Sequence, residues 1–392
     1  MMSQLRVRSP GILSDGVVQT GFDLLVRDGT VAGRVPSDAA LPGWSVVQAP
    51  GYVAPAYVDV HCHGYGGVSF ADCDAQGLER ARAGLHGEGV GGFLASLGSM
   101  PPEVLERQID ILAPAVGREA PGRATLLGIH LEGPYLSTEK RGAHPPAFLR
   151  TPDGGEMAAW LERAVGTVRQ VTLAPEREGA HAVADVVAGH GAVVALGHSN
   201  ATMATALAAM AWGARHVTHL WNGMSGLAHR GAGLAGAAFA ARDVTCEVIA
   251  DGVHIEPEIV DVSYRLLGPG RMCLVTDSTA ATGVGDGVYE GPGRRVTVVG
   301  GVARTPEGAL AGSTLTLAKA VANLVAWQVA PPAAASLMAG ATPAGALGLL
   351  PYGTVRGGAP ARLVALGPDG RLLPWDARVR LEGAGEGPDR DR

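Results

Sequence analysis

Val58-Asp59-Val60-His61-Cys62-His63-Gly64 is an apolar, strand-like segment that ends in two histidines one residue apart. Successive side chains of a strand point to opposite faces, so His61 and His63 project from the same face. Gly66 and Gly67 follow and mark the end of the strand. Two adjacent imidazoles suit a metal ion, although a single histidine packed in a core explains a His-x-His pair equally well.

Apolar runs of this kind alternate with helical patterns through the middle of the chain, which predicts βα units and a parallel sheet. Eight runs favour a TIM-type (β/α)8 barrel, whose active sites lie at the carboxyl ends of the strands. The runs end near His61-Cys62-His63, Leu94-Ala95-Ser96, Ile129-His130-Leu131-Glu132, Val171-Thr172-Leu173-Ala174-Pro175-Glu176, Ala195-Leu196-Gly197-His198, Val217-Thr218-His219, Val248-Ile249-Ala250-Asp251 and Leu274-Val275-Thr276-Asp277.

The gaps between these runs are long enough for helices that cover the strands. After the eighth run, the glycine-rich residues 283–312 predict an inserted hairpin, and residues 315–350 predict a pair of packed helices. The helices predicted in the gaps span residues 75–87, 102–116, 156–165, 181–189, 202–212 and 256–267.

The two ends of the chain predict a small β unit. Residues 1–50 read as short strands with a hairpin signal at Asp28-Gly29, and residues 355–381 have a similar character with a turn at Pro368-Asp369-Gly370. We therefore predict a small β domain from residues 1–50 and 355–382 and a catalytic barrel over residues 51–354. Residues 383–392 have nothing to bury and are expected to be disordered.

Composition excludes several classes of partner. The chain has 392 residues, of which 47% are hydrophobic and 17% charged, and its net charge is -6. Neither nucleic acid nor a membrane surface attracts such a chain electrostatically. The first residues lack an apolar core of signal-peptide length, and no apolar run is long enough to span a bilayer, so we expect a cytoplasmic protein. The cysteines show no paired spacing and predict no disulfide: Cys62, Cys73, Cys246 and Cys273.

Six possible metal ligands stand at the ends of separate predicted strands, where a barrel would bring them together. Imidazole nitrogens and carboxylate oxygens suit zinc or a similar divalent ion, and a catalytic site keeps one position open for water. Six groups exceed one tetrahedron, so they fit either two ions or one ion with a general base. These groups are His61, His63, Glu132, His198, His219 and Asp277.

The segments around these residues resemble the amidohydrolase superfamily and, within it, the N-acetylglucosamine-6-phosphate deacetylase family. The matches spread over residues 51–350 and are specific together, although each one alone is weak. They are His130-Leu131-Glu132-Gly133-Pro134, Lys140-Arg141-Gly142-Ala143-His144, Leu173-Ala174-Pro175-Glu176, Gly197-His198-Ser199, Thr218-His219-Leu220-Trp221-Asn222-Gly223-Met224, Ala250-Asp251-Gly252-Val253-His254, Thr276-Asp277 and Leu310-Ala311-Gly312-Ser313.

This resemblance implies a distorted TIM (β/α)8 barrel with a small β-sandwich formed by the N- and C-terminal segments, in a protein that forms homodimers. It implies a hydrolase that removes the acetyl group from N-acetylglucosamine 6-phosphate and yields glucosamine 6-phosphate and acetate. One or two divalent ions per subunit are expected, with zinc favoured over iron, manganese or cobalt.

The resemblance also assigns roles to residues. Glu132, His198 and His219 match the essential metal ligands of the family, and His61 and His63 match second-metal ligands that only some members possess. The catalytic groups expected are Asp277, as general base and then general acid, and His254, as a donor to the developing oxyanion. The residues expected to bind the substrate are His254, Asn222, Gly223 and Arg230, the last three near the phosphate, together with Lys140, His144, Leu310, Ala311 and Gly312.

Several of these residues also have simpler interpretations. Arg230 alone is typical of a solvated surface arginine, and the charged loop that carries Lys140 and His144 is typical of a solvated loop rather than a lid. His130 either orients a ligand or packs in the core, and His216 is easily confused with a ligand by residue type. Three further histidines are predicted at the surface: His86, His181 and His190.

Two departures from the family leave the sugar contacts open. Gly223 stands where the family usually has alanine, and Pro145 stands where an asparagine usually follows His144. Another amidohydrolase acting on a related N-acetylated amino sugar, with or without phosphate, therefore remains an alternative, as does a deaminase. A non-catalytic metal protein fits less well because it needs no base at Asp277. Amidases that use a lysine carbamate are discounted because the fourth run ends without lysine.

Overall fold

The structure, a computed structural model, describes residues 4–291, 294–376 and 378–382. The predicted disordered tail at residues 383–392 lies outside the described residues. No helix within the described part of the chain combines the length and apolar character that crossing a membrane requires.

Eight parallel strands form the central sheet, and neighbours in sequence are neighbours in space. Most of their residues are buried, as expected for strands covered on both faces. The predicted barrel is therefore confirmed. The strands are β1 (Tyr57–Cys62), β2 (Val90–Leu97), β3 (Thr125–Glu132), β4 (Val168–Leu173), β5 (Val193–Leu196), β6 (His216–Val217), β7 (Thr245–Val248) and β8 (Met272–Leu274).

The barrel closes at the carboxyl ends of β1 and β8. Two backbone hydrogen bonds join the chain segments there: the Asp277 N–H donates to the His61 carbonyl at 2.9 Å, and the His63 N–H donates to the Ser278 carbonyl at 2.8 Å. Lower in the same seam, the Thr276 hydroxyl donates to the buried Asp59 carboxylate at 2.6 Å. The segment that carries the two histidines thus also completes the barrel.

A helix follows each barrel strand, which is the alternation that the sequence predicts. Most of the six predicted helices agree with the structure within two residues at each end; the segment at 102–116 ends instead in a 3-10 turn at Ala113–Ala115. The helices are α1 (Ala75–Gly87), α2 (Pro102–Leu112), α3 (Gly154–Arg163), α4 (Ala180–Gly189), α5 (Met203–Ala211), α6 (Gly233–Ala240), α7 (Pro257–Leu267), α8 (Leu317–Ala326), α9 (Pro332–Met338), α10 (Ala341–Ala346) and α11 (Arg378–Leu381).

Two helical regions differ from the prediction. The sequence gives no signal for α6, since this segment of glycine, alanine and a few large residues is buried almost all round and has no polar face. Residues 315–350 form three helices rather than a pair. Gly340 separates α9 from α10, and Pro343 is tolerated because it lies in the first turn of α10, where its missing N–H leaves no helical bond unmade.

The two ends of the chain form sheets beside the barrel. One sheet has the order Thr30–Pro36, Phe22–Arg27, Gln4–Arg8 and Ser45–Gln48, and it contains the hairpin predicted at Asp28-Gly29. The other has the order Leu372–Leu373, Leu363–Leu366, Tyr52–Pro55, Ile12–Ser14 and Val17–Gln19. Side chains of both sheets share one apolar core. The domain boundaries at residues 50 and 355 stay a prediction.

Smaller elements lie in the loops that follow barrel strands. At the carboxyl end, Gly287–Gly291, Arg294–Val299 and Val302–Arg304 form an antiparallel sheet within the predicted insertion, and Gly64–Tyr65 pairs with Val68–Ser69. A 3-10 turn spans Pro146–Phe148.

The prediction of His86 as a surface residue is wrong. Its ring is buried, and its Nε2 lies 2.8 Å from a carboxylate oxygen of Glu382, just after α11.

Candidate metal centre and catalytic cavity

The six predicted ligand positions all lie at the carboxyl end of the barrel. His61 lies in β1 and Glu132 ends β3, whereas His198, His219 and Asp277 follow β5, β6 and β8. The last three have left-handed backbone conformations, with φ of 46°, 28° and 50°. Such conformations cost free energy for residues other than glycine and concentrate at functional sites. Here they accompany side chains that turn into the mouth of the barrel.

Glu132, His198 and His219 form a first group of potential ligands, which we call cluster A. The Glu132 Oε1 atom lies 3.1 Å from His198 Nε2 and 3.0 Å from His219 Nε2. The two Nε2 atoms are 3.0 Å apart. All three residues are buried, so the geometry suits one ion bound by two imidazoles and a carboxylate.

His61, His63 and the same Glu132 form a second group, which we call cluster B. His61 Nε2 lies 3.1 Å from His63 Nε2, and His63 Nε2 lies 3.2 Å from Glu132 Oε2. Asp277 Oδ1 is 3.3 Å from His63 Nε2 and 3.6 Å from His61 Nε2. Glu132 Oε1 thus lies near both histidines of cluster A and 3.5 Å from His61 Nε2, whereas Oε2 faces His63, so the one carboxylate contacts the histidines of both clusters.

Hydrogen bonds at the outer nitrogens explain how the histidines present lone pairs to these clusters. The Nδ1 atom of His61 donates to Glu247 Oε2 at 2.8 Å, that of His63 to the Ser96 carbonyl at 3.0 Å, and that of His198 to the Lys140 carbonyl at 2.7 Å. In the neutral form that binds a metal ion, each of these rings then presents an unprotonated Nε2 that faces inward. Without a cation, burial would lower the pKa values of His61 and His63, but the neighbouring carboxylates raise them and favour protonated rings.

The spacing of these atoms also fits a metal ion. Ligand atoms about 2.0–2.1 Å from a tetrahedral zinc ion lie about 3.3 Å from one another. The distances of 3.0–3.2 Å within the two clusters are close to this value. The donor set and its spacing thus suit a divalent cation.

His144 has a contact with Glu132 in addition to the sugar contact predicted for it. Its ring is buried, and Nδ1 accepts a hydrogen bond from the Ser99 N–H at 3.1 Å. The proton is then on Nε2, which lies 3.2 Å from Glu132 Oε2 and donates to it. His144 is therefore placed to hold the shared carboxylate while it also lines the cavity.

His130 lies in the buried part of the barrel beside His61. Its ring nitrogens are bonded to the Ser96 and Thr172 hydroxyls at 2.9 and 2.8 Å, and the ring packs edge-on against His61 with centroids 4.6 Å apart. The ring is fully buried and packs beside a predicted ligand, so the two alternatives, a ligand-orienting and a packed core histidine, stay predictions.

Glu247 is a buried group that the sequence analysis does not identify. It lies in β7, fully buried, and its carboxylate accepts hydrogen bonds from His61, His216, Gln170 and the His219 backbone. Burial would raise its pKa, but the charge of His61 and these hydrogen bonds hold the pKa well below its usual value. His216 thus binds Glu247 and belongs to neither cluster. The available signal was a single charge within the apolar run Thr245-Cys246-Glu247-Val248.

His254 faces the same cavity from the loop after β7. Its Nδ1 lies 2.7 Å from Asp251 Oδ2, while Asp251 Oδ1 accepts the backbone N–H groups of Val253 and His254 at 2.8 Å. Burial would lower the pKa of His254, but the hydrogen bond and charge of Asp251 outweigh burial and raise it. Burial would raise the pKa of Asp251, but the hydrogen bond and charge of His254 outweigh burial and lower it. The pair therefore favours a protonated imidazole whose Nε2 is free to donate.

Asp277 remains ionised in this environment. Burial alone would raise its pKa, but the charge of His61 and the hydrogen bond from His63 hold the pKa below its usual range. Because its side chain lines the cavity, the carboxylate can accept a proton there.

A cavity of about 260 Å³ opens above cluster A. Among the predicted substrate contacts, three residues do not line it. Lys140 contributes its carbonyl to His198 rather than its ammonium group to the cavity, Arg230 is exposed in the turn after the cavity wall, and Ala311 lines a neighbouring space of about 70 Å³. The predicted site residues that do line the cavity are His63, Glu132, His144, His198, His219, Asn222, Gly223, His254, Asp277, Leu310 and Gly312.

Comparison with known sequences places the chain among hydrolases. The sequence model of the Amidohydrolase family matches residues 52–379. The chain is 35% identical to an N-acetylglucosamine-6-phosphate deacetylase of Vibrio furnissii, over 88% of this chain and 86% of that protein. It is 36% identical to an N-acetylgalactosamine-6-phosphate deacetylase of Escherichia coli O157:H7, over 88% of this chain and 90% of that protein.

A solved structure gives a similar result. The N-acetyl-D-glucosamine-6-phosphate deacetylase of Mycobacterium smegmatis, in a variant bound to N-acetyl-D-glucosamine-6-phosphate, superimposes with a TM-score of 0.87 at 37% identity. The match covers 94% of this chain and 97% of that one.

Proposed function

The chain belongs to the amidohydrolase family, and we propose on that premise that it removes the acetyl group from N-acetylglucosamine 6-phosphate. The products are glucosamine 6-phosphate and acetate. The observation that carries the proposal is the meeting of the two ligand clusters with Asp277 and His254 at one cavity. Such a set supplies the groups that amide hydrolysis needs: a cation site, a base and an oxyanion donor.

Glu132, His198 and His219 would hold one divalent ion, and His61 and His63 would hold a second ion with Glu132 as the bridge. A divalent ion at such a site lowers the pKa of a bound water and polarises the amide carbonyl. We propose zinc as the ion, because nitrogen and carboxylate ligands of this number suit it.

Asp277 is placed to move the proton. Its ionised carboxylate takes a proton from the water as the water oxygen attacks the carbonyl carbon. The same carboxyl then delivers that proton to the amide nitrogen as the C–N bond breaks. The amino group of the sugar leaves as a neutral amine together with acetic acid, which ionises to acetate as its proton passes to the amine or to solvent.

His254 would stabilise the negative charge that develops on the carbonyl oxygen. Asp251 fixes the ring through Nδ1, so that the protonated Nε2 can donate a hydrogen bond into the cavity. A donor that is already oriented for the transition state costs little reorganisation during the reaction.

The phosphate end of the substrate is proposed to lie near Asn222, Gly223 and Arg230. Asn222 and Gly223 line the cavity, and the planar guanidinium of Arg230 suits phosphate oxygens. Because Arg230 is exposed outside the cavity wall, it would have to reach the phosphate by movement of its loop or through a second subunit. We further propose a cytoplasmic homodimer, on the basis of the family resemblance and the composition.

The configuration of the sugar is a second question that the comparisons raise. A glucosamine-type and a galactosamine-type deacetylase match the chain with nearly equal identity. N-Acetylgalactosamine 6-phosphate is therefore the alternative substrate.

The deciding experiment measures acetate release by metal-loaded protein from N-acetylglucosamine 6-phosphate, N-acetylgalactosamine 6-phosphate and unphosphorylated N-acetylglucosamine. We expect the highest kcat/KM for the first substrate and a lower value for the sugar without phosphate. Equal rates with and without phosphate would remove the phosphate site, and faster turnover of the galactosamine compound would reassign the substrate. Absence of acetate from all three would contradict the proposed function.

A further inference from the structure

Glu247 connects the two ligand clusters from inside the barrel. Its Oε2 atom accepts two hydrogen bonds, from His61 Nδ1 at 2.8 Å and from the His219 backbone N–H at 3.0 Å. Its Oε1 atom accepts from Gln170 Nε2 at 2.8 Å and His216 Nε2 at 3.1 Å. One oxygen thus contacts a histidine of each cluster, while the other contacts only residues of the barrel core.

The contact with His61 determines which nitrogen of that ring can bind an ion. An ionised carboxylate can only accept, so the ring proton is on Nδ1 and the lone pair is on Nε2, inside cluster B. A carboxylate at this position also increases the basicity of the ligand nitrogen. In contrast, Glu247 contacts His219 through the backbone, where it stabilises the left-handed turn but does not choose the ring tautomer.

The other histidine of cluster B, His63, has a weaker hydrogen-bond partner. His63 Nδ1 donates to the Ser96 carbonyl, a neutral acceptor, and the side chain of His63 is 15% exposed, whereas that of His61 is fully buried. The preorganisation of cluster B therefore depends mainly on the pair of His61 and Glu247.

We propose that Glu247 is a positioning residue that sets the affinity of cluster B for its divalent ion. The inference rests on the proposed metal-dependent function but goes beyond it, because it assigns control of the second ion to a residue that touches neither ion nor substrate. Without the Glu247 carboxylate, either nitrogen of the His61 ring can carry the proton. The ring also loses the neighbouring negative charge that makes its Nε2 a more basic ligand.

The experiment titrates metal-free protein with Co²⁺ and follows the visible absorption of the bound ion, with the stoichiometry checked by elemental analysis. For Glu247→Gln we expect the second Co²⁺ to bind about 10- to 100-fold more weakly, which is the usual effect of losing such an outer partner. The first Co²⁺ should keep its affinity within a few-fold. Gln170→Met is the matched control, because Gln170 is equally buried and binds Oε1 but does not contact a ligand histidine.

The outcomes separate the two proposals. Wild-type protein that binds no Co²⁺ would contradict the proposed function, whereas wild-type protein that binds one ion, or Glu247→Gln with two ions of unchanged affinity, would overturn only the role of Glu247. An equal loss in Gln170→Met would also overturn it, since a general weakening of the core would then explain the effect. If Glu247→Gln does not fold, Glu247→Asp keeps the charge but shortens its reach, and the same selective loss is expected; unchanged affinity there would overturn the inference.

Discussion

Cluster A and cluster B share one carboxylate but hold their histidines by different means. In cluster B, His61 belongs to a continuous strand, is fully buried and is bonded to a buried carboxylate. In cluster A, His198 and His219 follow short strands in left-handed backbone conformations. The outer nitrogen of His198 is bonded to the carbonyl of Lys140, on the loop between β3 and α3.

Because of this difference, the two clusters are held by different parts of the fold. Cluster B is fixed by the barrel core, so its geometry should change little when substrate binds. Cluster A is attached to a loop that also supplies Gly142, Ala143 and His144 to the cavity wall, so a shift of that loop would move a ligand of cluster A. The ligands on which turnover is expected to depend are therefore the ones coupled to a loop that lines the cavity.

The largest effect should come from the residue that the clusters share. Glu132→Ala removes an oxygen from both clusters, and we expect neither ion to be retained and kcat/KM to fall by about 10³-fold or more, since the ion supplies several kcal/mol of transition-state stabilisation. Acetate assays and elemental analysis measure both effects, with the exposed Glu178→Ala as a control. Retention of one tightly bound ion would show that the clusters are independent.

Asp277→Asn should separate proton transfer from ion binding. Loss of the base is expected to lower kcat by about 10²- to 10⁴-fold. The ion of cluster A should remain bound, because within the described residues the ion-pair contacts of Asp277 with ligand histidines are those with His61 and His63 of cluster B. Full deacetylation by the metal-loaded variant would show that the assignment of the base is wrong.

The double variant His61→Ala and His63→Ala removes cluster B alone. We expect the metal content to fall by one ion per subunit and kcat to fall less than in either variant above, because cluster A keeps its ligands. If the double variant lost both ions and all activity, this would show that the two clusters bind their ions cooperatively. Elemental analysis and initial rates of acetate release provide the comparison.

A pH profile tests a group that lies outside both clusters. Asp251 raises the pKa of His254, so the protonated donor persists above the usual histidine range in the wild type. In Asp251→Asn the pKa of His254 falls, and the alkaline limb of kcat/KM should move to lower pH. The limb should stay in place in the His61 and His63 double variant. An unmoved limb in Asp251→Asn would mean that another group titrates there.

The smallest effect is expected from Gly223→Ala, which acts on cluster A only. An added Cβ would lie 2.8 Å from His198 Nδ1 and 3.2 Å from the Lys140 carbonyl, at a residue with φ of 57°. We expect a cost of about 1–2 kcal/mol, seen as roughly a ten-fold loss in kcat/KM, with the ion of cluster B unaffected. Gly226→Ala is the matched control, since no atom lies within 4 Å of its added Cβ. Equal activities would mean that the loop relaxes freely.

The barrel could be predicted because each strand is an apolar run that ends in a polar residue, and because period and length separate strands from helices. The ligand set followed from the same rule, since His61, Glu132 and His198 all stand at strand ends. Helix α6 could not be predicted, because a helix that is buried on every side has no amphipathic pattern.

Contacts that depend on tertiary structure were also out of reach of the sequence. In the sequence, Lys140 is a candidate because of its charged side chain, whereas in the structure its backbone carbonyl accepts a hydrogen bond from His198. Glu247 and His86 have partners far away in the chain, and only the closed fold shows that His86 meets Glu382. Sequence position can place a group at the site, but it cannot say which atom of that group is used.

Barrel closure and ion binding involve the same stretch of chain. The backbone amides of His63 and Asp277 close the seam between β1 and β8, while their side chains surround cluster B. An ion that binds only the native arrangement stabilises it in proportion to RT ln(1 + [ion]/Kd), which is about 2.7 kcal/mol at an ion concentration 100-fold above Kd. A chelator should therefore act as a mild denaturant, and hydrogen exchange at these two amides should report its effect before the rest of the barrel opens.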